Sequence, residues 1–208
     1  MADLSAGYRA RRKGMYCCVK KQYQLSDDES WSLHAARLMI GGKIQNYRNI
    51  LRRYIRDYGE NEDVNQAVQV LEHAKREALT AQDKTTLIGY EGMASNAYFE
   101  VLPILILNQK ADFPFHGRNR RPPKDAVNAM LSFAYTLIAN EISAALETVG
   151  LDPYVGFLHT LRPGRTSLAL DMMEEFRAYL GDRFVLSLIN KRQITSKDFC
   201  FKVIMGLL

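Results

Sequence analysis

The spacing of apolar residues from residue 26 onward predicts a chain built mainly of α-helices. In the longest predicted helix, apolar side chains recur at steps of three and four residues, which places them on one face: Ile40, Ile44, Tyr47, Leu51, Tyr54 and Tyr58. The stretch "SDDE" at residues 26–29 predicts its start, because Ser26 and Glu29 can form a capping box. Gly41-Gly42 would allow this helix to bend or divide. Basic residues lie off the apolar face: Lys43, Arg48, Arg52, Arg53 and Arg56.

Five further helices are predicted, and residues 1–25 differ from all of them. Helical spacing indicates segments at about 63–79, 83–107, 124–149, 167–180 and 182–189. Gly150 is expected to end the helix at 124–149, and Ser167 to cap the next. Residues 1–25 have the pattern of one or two strands, too few for a sheet of their own. The predicted fold class is therefore mainly α, with a short strand remnant in front.

The composition suits one globular domain in a reducing compartment. The chain has 208 residues, of which 47% are hydrophobic, so it can build a sizeable core. Its longest apolar run, residues 101–107, contains Pro103 and is far too short for a membrane span. The basic N-terminus is not followed by an apolar stretch, which argues against a signal peptide. The three cysteines show no framework spacing, so a cytoplasmic location is expected.

Positive charge is concentrated in two segments, although the formal net charge is only +5. Residues 1–58 hold twelve Lys and Arg against five Asp and Glu, and residues 110–124 hold five against one. Segregated basic charge is typical of proteins that bind a polyanion, most commonly a nucleic acid. A solvated basic face is the competing interpretation.

Four residues are candidates for chemistry. Glu91 lies in "IGYEGMASNAYF", where small residues allow close helix packing, so its carboxylate is expected to be partly enclosed and to need a partner or a cation. Asp171 and Glu174, three residues apart, lie on one side of a predicted helix. His159 closes the stretch "GFLH". Each has an ordinary alternative, namely a surface glutamate, a solvated acidic face and a structural histidine.

The combination of these residues favours a metal site. One imidazole with two or three carboxylates from different helices is a ligand set suited to Mg²⁺ or Mn²⁺. Structural zinc is disfavoured, because no cysteine pair accompanies them. Together with the basic segments, the set suggests a metal that polarises a phosphodiester. The chain lacks the G-x-S-x-G, G-x-x-x-x-G-K-[ST] and G-x-G-x-x-G motifs of other enzyme classes.

Several longer stretches carry a resemblance to one family. They occur in order over about residues 40–199: "GKIQNYRNILRR", "GYEGMASNAYF", "FHGRNRRPPKDAVNAMLSFAYTL", "GLDPYVGFLH", "RPGR" and "SLALDMMEEFR". In these stretches the chain resembles the CRISPR-associated (Cas) spacer-acquisition integrases and endonucleases. A match of this length and order is far more specific than any single motif.

The resemblance implies a role for each candidate residue. Glu91, His159 and Glu174 would be metal ligands, and Asp171 would be a further catalytic acid beside them. The cofactor would be Mg²⁺ or Mn²⁺. The implied enzyme is a metal-dependent DNA endonuclease and integrase, which inserts spacer DNA into the repeat array when a 3′-hydroxyl attacks a phosphodiester.

The resemblance also implies partners. These are DNA (prespacer and CRISPR repeat), a small ferredoxin-like CRISPR-associated protein and, in the full-length family, a second copy of the chain; no membrane is expected. The residues expected to contact the DNA backbone lie in the loop at 116–124 and in "RPGR": Arg118, Arg120, Arg121, Lys124, Arg162 and Arg165.

Both ends of the chain suggest a truncated member of this family. Residues 1–25 match only the end of an N-terminal β domain, so they are expected to be its remnant, ahead of a helical catalytic domain at 26–208. Members of the family continue well beyond the stretch "NKRQITSKDF", whereas this chain ends soon after it. Two alternatives to an active enzyme therefore stay open, a catalytically incompetent DNA-binding helical fragment and a plain helical scaffold.

Overall fold

The computed structural model describes residues 17–119, 122–160 and 162–199, and in these ranges the chain is helical without a strand. The α-helices within them are residues 17–27 (α1), Glu29–Tyr58 (α2), Glu62–Thr80 (α3), Lys84–Val101 (α4), Ala126–Thr148 (α5), Ser167–Phe176 (α6) and Arg183–Asn190 (α7). Turns of 3-10 helix lie at Leu102–Leu105 and Ser196–Asp198, and a π-helical turn at Arg177–Asp182 joins α6 to α7. The predicted mainly helical fold class is confirmed.

Residues 17–25 belong to α1, so the prediction of strands is wrong for them. The buried side-chain amide of Gln22 donates hydrogen bonds to the carbonyls of Asp152 (2.7 Å) and Val155 (2.8 Å) and accepts one from the Asp152 amide (2.9 Å). Leu25, three residues later on the same helix face, packs against apolar side chains of α2, α5 and α6. The rest of the expected β remnant, residues 1–16, lies outside the described residues.

The cap of α2 lies two residues after Ser26, the residue predicted to cap it. Asp28 caps the helix, because its side chain accepts a hydrogen bond from the Trp31 amide (3.0 Å). Ser26 lies inside α1 and donates its hydroxyl proton to the Tyr23 carbonyl (2.8 Å). The capping-box prediction is therefore wrong, since α1 continues to residue 27.

Gly41-Gly42 does not divide α2, and both glycines lie against side chains of other helices. A Cβ atom at Gly41 would lie 2.8 Å from Leu79 Cδ2 on α3, and one at Gly42 would lie 2.9 Å from Glu175 Oε1 on α6. A larger residue at either position would force the Leu79 or Glu175 side chain to shift. Because α2 also packs against α4 and the π-helical turn, it is the helix around which the others are arranged.

The remaining helix ends agree with prediction except at two points. Pro103 lies at the start of the 3-10 turn that follows α4 and cannot continue the α-helical hydrogen bonding. Ser167 is the first residue of α6 rather than its cap, which is Thr166. Gly150 follows α5 with a φ of 79°, in the left-handed region that ends helices.

One helix, α5, is long and apolar enough to cross a membrane when judged by length and composition alone. Its mean hydropathy reaches 1.3 over 18 residues, of which 22% are buried. This corrects the expectation that no segment reaches such a length. A single helix of this kind is weak evidence for a membrane span, because core helices of globular proteins pass the same test.

Tyrosines surround a buried carboxylate where α2, α4, α5 and the π-helical turn meet. Tyr47 stacks on Tyr98 with ring centroids 3.9 Å apart. Tyr135 donates its hydroxyl proton to Asp182 Oδ1 (2.5 Å). Burial raises the pKa of Asp182 to about 6, against the opposing effects of the Tyr135 hydrogen bond and of Arg177.

Asp182 makes the stability of the fold depend on pH in a direction that can be measured. The unfolded chain releases this proton near pH 3.8 and the folded chain near pH 6, so the free energy of unfolding should fall as the pH rises between these values. The loss attributable to Asp182 is about 3 kcal/mol. Urea denaturation at several pH values should therefore show a smaller fall in the free energy of unfolding for Asp182→Asn than for the wild type. The exposed control Asp112→Asn should show the same fall as the wild type. Equal dependence of the free energy of unfolding on pH in all three proteins would contradict the assignment.

Candidate functional site

A buried lysine joins two of the predicted site residues. Lys43 lies on α2, three residues after Ile40 and four before Tyr47, so it faces the core with them. Its side chain is only 2% exposed. The Nζ atom contacts Glu91 Oε1 on α4 and lies 2.7 Å from Glu174 Oε2 on α6. One ammonium group therefore ties three helices together, and the expectation that Lys43 lies off the apolar face is wrong.

Glu91 lies at the edge of this cluster. Its side chain is 24% exposed. Besides Lys43, Oε1 accepts a hydrogen bond from the Ser95 hydroxyl (2.8 Å), one helical turn further along α4. The carboxylate is thus partly enclosed and has a cation partner, so it differs from an ordinary surface glutamate.

Glu174 lies deeper, between two cations. Its Oε1 forms an ion pair with Arg177 Nη2 (2.9 Å), one helical turn further along the chain. Its Oε2 forms an ion pair with Lys43 Nζ (2.7 Å). Burial alone would raise the pKa of Glu174, but Lys43, Arg177 and, to a smaller extent, the nearby His159 together lower it.

Asp171 holds the loop that carries His159. It is fully buried, and its Oδ2 accepts hydrogen bonds from the amides of Phe157 (2.6 Å) and Leu158 (2.9 Å). Its Oδ1 accepts one from the His159 amide (3.0 Å) and lies 2.5 Å from His159 Nδ1. Asp171 and Glu174 are both buried, so the alternative of a solvated acidic face is excluded.

Gly156 allows Asp171 to come this close to the loop. A Cβ atom at Gly156 would lie 2.5 Å from Asp171 Oδ2 and 2.8 Å from the carbonyl carbon of Ser167. Any side chain at this position would collide with the carboxylate or with the backbone that begins α6. The glycine of "GFLH" is therefore required by packing.

Side-chain exposure differs within the cluster. Glu91 is 24% and His159 is 23% exposed, whereas Glu174 is 6%, Lys43 is 2% and Asp171 is 0% exposed. Solvent therefore reaches Glu91 and His159, while Glu174, Lys43 and Asp171 are closed off from it.

The chemistry of these side chains fits a divalent cation, although their present arrangement is not that of a filled site. In the part of the chain that the structure describes, no three His, Cys, Asp or Glu side chains are grouped so as to hold a metal ion. Lys43 lies between Glu91 and Glu174, and His159 Nδ1 bonds to Asp171. Two observations support the fit: Glu91 and Glu174 already share a cation, and a histidine bonded to a carboxylate through Nδ1 is oriented to bind a metal through Nε2.

The predicted DNA-contacting residues differ in their surroundings. Lys124 and Arg162 are exposed and Arg165 is half-buried, whereas Arg120 and Arg121 lie outside the described residues. The Arg118 guanidinium bonds to the side chains of Asn128 (2.7 Å) and Ser132 (3.0 Å) on α5 and lies over the ring of Tyr135.

Arg118 thus anchors the basic loop to α5. The same buried Asn128 accepts a hydrogen bond from the Asn119 amide (2.9 Å) and donates one to the Gly117 carbonyl (2.9 Å). A phosphate contact by Arg118 would have to compete with these bonds, and its role in DNA binding stays a prediction.

Sequence reasoning missed Lys43 and Arg177. The spacing of Lys43 from Ile40 and Tyr47 is the same as that of the apolar positions, and it is the signal that could have revealed its burial. Arg177 follows Glu174 by three residues, the spacing of an ion pair on a helix.

Comparison with known proteins identifies the family. A model of the family described as "CRISPR associated protein Cas1" matches residues 6–206. The chain belongs to the Cas1 family. The predicted family resemblance is therefore confirmed.

Two curated Cas1 proteins illustrate how closely the chain matches the family. CRISPR-associated endonuclease Cas1 1 of Chlorobaculum tepidum is 48% identical over 190 residues, which are 90% of this chain and 55% of that protein. CRISPR-associated endonuclease Cas1 of Leptospira interrogans is 45% identical over 186 residues, which are 88% of this chain and 73% of that protein. The chain spans about half of the first and about three quarters of the second.

Solved structures show the same fold. A partial Cas6-RT-Cas1–Cas2 complex superimposes with a TM-score of 0.83 at 27% identity, over 95% of this chain and 57% of that chain. A casposase bound to its integration product gives a TM-score of 0.72 at 29% identity, over 88% and 49%. The helical arrangement of this Cas1-family chain is therefore shared with both proteins.

Gly156→Ala should loosen the loop that carries His159. The added Cβ must displace the Asp171 carboxylate or the start of α6, so we expect a loss of about 2 kcal/mol in the free energy of unfolding. Gly89→Ala, where a Cβ atom meets nothing within 4 Å, is the matched control and should leave stability unchanged or slightly raised. Chemical denaturation followed by circular dichroism measures both; equal stability of the two variants would contradict the close approach.

Proposed function

We propose that this chain carries the catalytic centre of a metal-dependent DNA endonuclease and integrase of CRISPR adaptation. The observation that carries the proposal is the convergence of Glu91 and Glu174 on Lys43, with the His159–Asp171 pair close to Glu174. Two findings support it further: the curated relatives are named CRISPR-associated endonucleases, and a structural neighbour is a casposase bound to an integration product.

The proposed metal ligands are Glu91, His159 and Glu174, and the cation would be Mg²⁺ or Mn²⁺. When bound, it would supply Lewis acidity that polarises the scissile phosphodiester. Asp171 keeps the proton of His159 on Nδ1 and so leaves the Nε2 lone pair available as a ligand. Arg177 keeps Glu174 ionised and in place, because their ion pair lowers the cost of a buried carboxylate.

The proposed reaction is displacement at phosphorus. In integration, the oxygen of a DNA 3′-hydroxyl forms a new bond to the phosphorus of the CRISPR repeat, and the bond to the 3′-oxygen of the repeat strand breaks. The attacking hydroxyl loses a proton and the leaving oxygen gains one. With water as the nucleophile, the same displacement is endonuclease cleavage.

The proposed partners follow from the same neighbours. One solved complex contains both Cas1 and Cas2, which supports assembly with a small CRISPR-associated protein, and the casposase complex supports DNA as the substrate. A ferredoxin-like fold of that partner, pairing with a second copy of this chain and action in the cytoplasm are parts of the proposal.

A DNA-binding helical fragment without activity is the second candidate function. The observation that favours it is that, among the described residues, no three His, Cys, Asp or Glu side chains are grouped so as to hold a metal ion. The two candidates share the proposed DNA-binding surface and differ in whether the metal centre is catalytically active. An assay of metal-dependent DNA nicking therefore separates them.

Nicking of branched or single-stranded DNA should require Mn²⁺ or Mg²⁺ together with Glu91 and His159. We expect Glu91→Gln and His159→Ala each to lower the nicking rate at least about 100-fold, because each removes a ligand of the catalytic cation. Matched controls are Glu100→Gln, an exposed acid on the same helix, and His73→Ala, an exposed histidine. Metal-dependent nicking that survives both substitutions would disprove the site, and a wild type without nicking would favour the second candidate.

The basic surface should bind DNA through phosphates. Lys124→Ala and Arg162→Ala remove exposed charges, so the double variant should reduce the slope of log affinity against log salt by about 2 on duplex DNA. Arg118→Ala should instead lower the melting temperature, because its guanidinium anchors the loop to α5. Fluorescence anisotropy at several salt concentrations measures the slope; an unchanged slope for the double variant would place DNA elsewhere.

A further inference from the structure

Lys43 holds together two of the proposed metal ligands while no metal is bound. Its ammonium contacts Glu91 Oε1 and lies 2.7 Å from Glu174 Oε2, and its side chain is 2% exposed. A buried cation this close to two carboxylates neutralises repulsion that would otherwise separate α4 from α6. The same two carboxylates would have to turn towards a divalent cation once it binds.

Another positive charge already lies near Lys43. Arg177 pairs with the other oxygen of Glu174, and its positive charge repels that of Lys43. The ring of Tyr47 lies 5.7 Å from Nζ and is the aromatic neighbour of the ammonium. A divalent cation between Glu91 and Glu174 would bring two more positive charges against Lys43, at a separation where repulsion between partly buried charges is large.

We propose that Lys43 is an internal counter-cation, which keeps the centre assembled without metal and withdraws from between Glu91 and Glu174 when a divalent cation binds. This inference rests on the proposed metal-dependent function. Lys43 is a positioning residue in this scheme, because it acts on the ligands and does not touch DNA. Its four-carbon stem allows the ammonium to move while the backbone of α2 stays in place.

The proposal predicts that Lys43 lowers metal affinity and raises stability without metal. Lys43→Met keeps the apolar stem and removes the competing charge, so Mn²⁺ should bind roughly tenfold more tightly or better than to the wild type. In metal-free buffer the same variant should melt at a lower temperature than the wild type, because two carboxylates lose their cation. Adding Mn²⁺ should raise the melting temperature of the variant by more than that of the wild type.

The experiment measures Mn²⁺ binding by electron paramagnetic resonance and melting by circular dichroism, with no activity assay involved. Lys75→Met is the matched control, since Lys75 is half-buried but bonds to the Gln45 amide oxygen (2.7 Å), and it should leave Mn²⁺ affinity unchanged. Lys43→Gln is a second neutral variant in case Lys43→Met does not fold without metal. If neither folds alone, recovery of helicity on adding Mn²⁺ supports the proposal, and failure to recover overturns it.

The outcomes separate this inference from the function on which it rests. A wild type that binds Mn²⁺, with Lys43→Met binding equally or more weakly, overturns the role of Lys43 and leaves the metal site intact. Tight binding by Lys43→Met with none by the wild type also overturns the proposal, because the lysine would then exclude the cation and never withdraw. No Mn²⁺ binding by the wild type or by either Lys43 variant overturns both.

Discussion

The contact of one buried ammonium with two carboxylates determines how the rest of this molecule is arranged. Lys43 has left water almost completely, and a buried charge is tolerated only when opposite charges surround it. Glu91 and Glu174 supply them, so α4 and α6 must both reach the same point on α2. Next to Lys43 in the chain, Gly42 leaves room for α6, because a Cβ atom there would lie 2.9 Å from Glu175 Oε1. The packing of α4 and α6 on α2 and the candidate site therefore share the same contact.

Two acids three residues apart on α6 have different tasks because they face different neighbours. Asp171 faces the loop at 156–159 and is saturated by three backbone amides and the His159 ring, so its carboxylate has no capacity left for a metal ion. Glu174 faces α2, where its Oε2 lies 2.7 Å from the Lys43 ammonium. The first acid therefore positions the imidazole, and the second already faces a cation. The proposed place of Asp171 beside the ligands, implied by family resemblance, rests on this difference.

The parts of the structure that sequence could predict are those that depend on local spacing. Five helices have ends near the predicted positions, because apolar periodicity and Gly150 act over a few residues. The helical state of residues 17–27 could not be predicted in this way, since Gln22 is satisfied by backbone groups about 130 residues away. The hydrogen bonds from the Arg118 guanidinium to Asn128 and Ser132 could not be predicted either, because a pattern of charges does not show which side chains will meet. Lys43 is a different case, because its spacing indicated a buried face and its charge suggested the opposite.

The differences in exposure within the site limit how the proposed DNA substrate can reach it. The supports of the centre, Lys43 and Asp171, are closed off from solvent, whereas Glu91 and His159 are partly exposed. Two of the three proposed ligands are therefore accessible to a phosphate, and the third, Glu174, is buried. A catalytic metal site, unlike a structural one, keeps a position open for substrate, so the exposure of Glu91 and His159 suits the proposed catalytic role. The protein thus fixes one part of the site by burial and leaves the other part accessible.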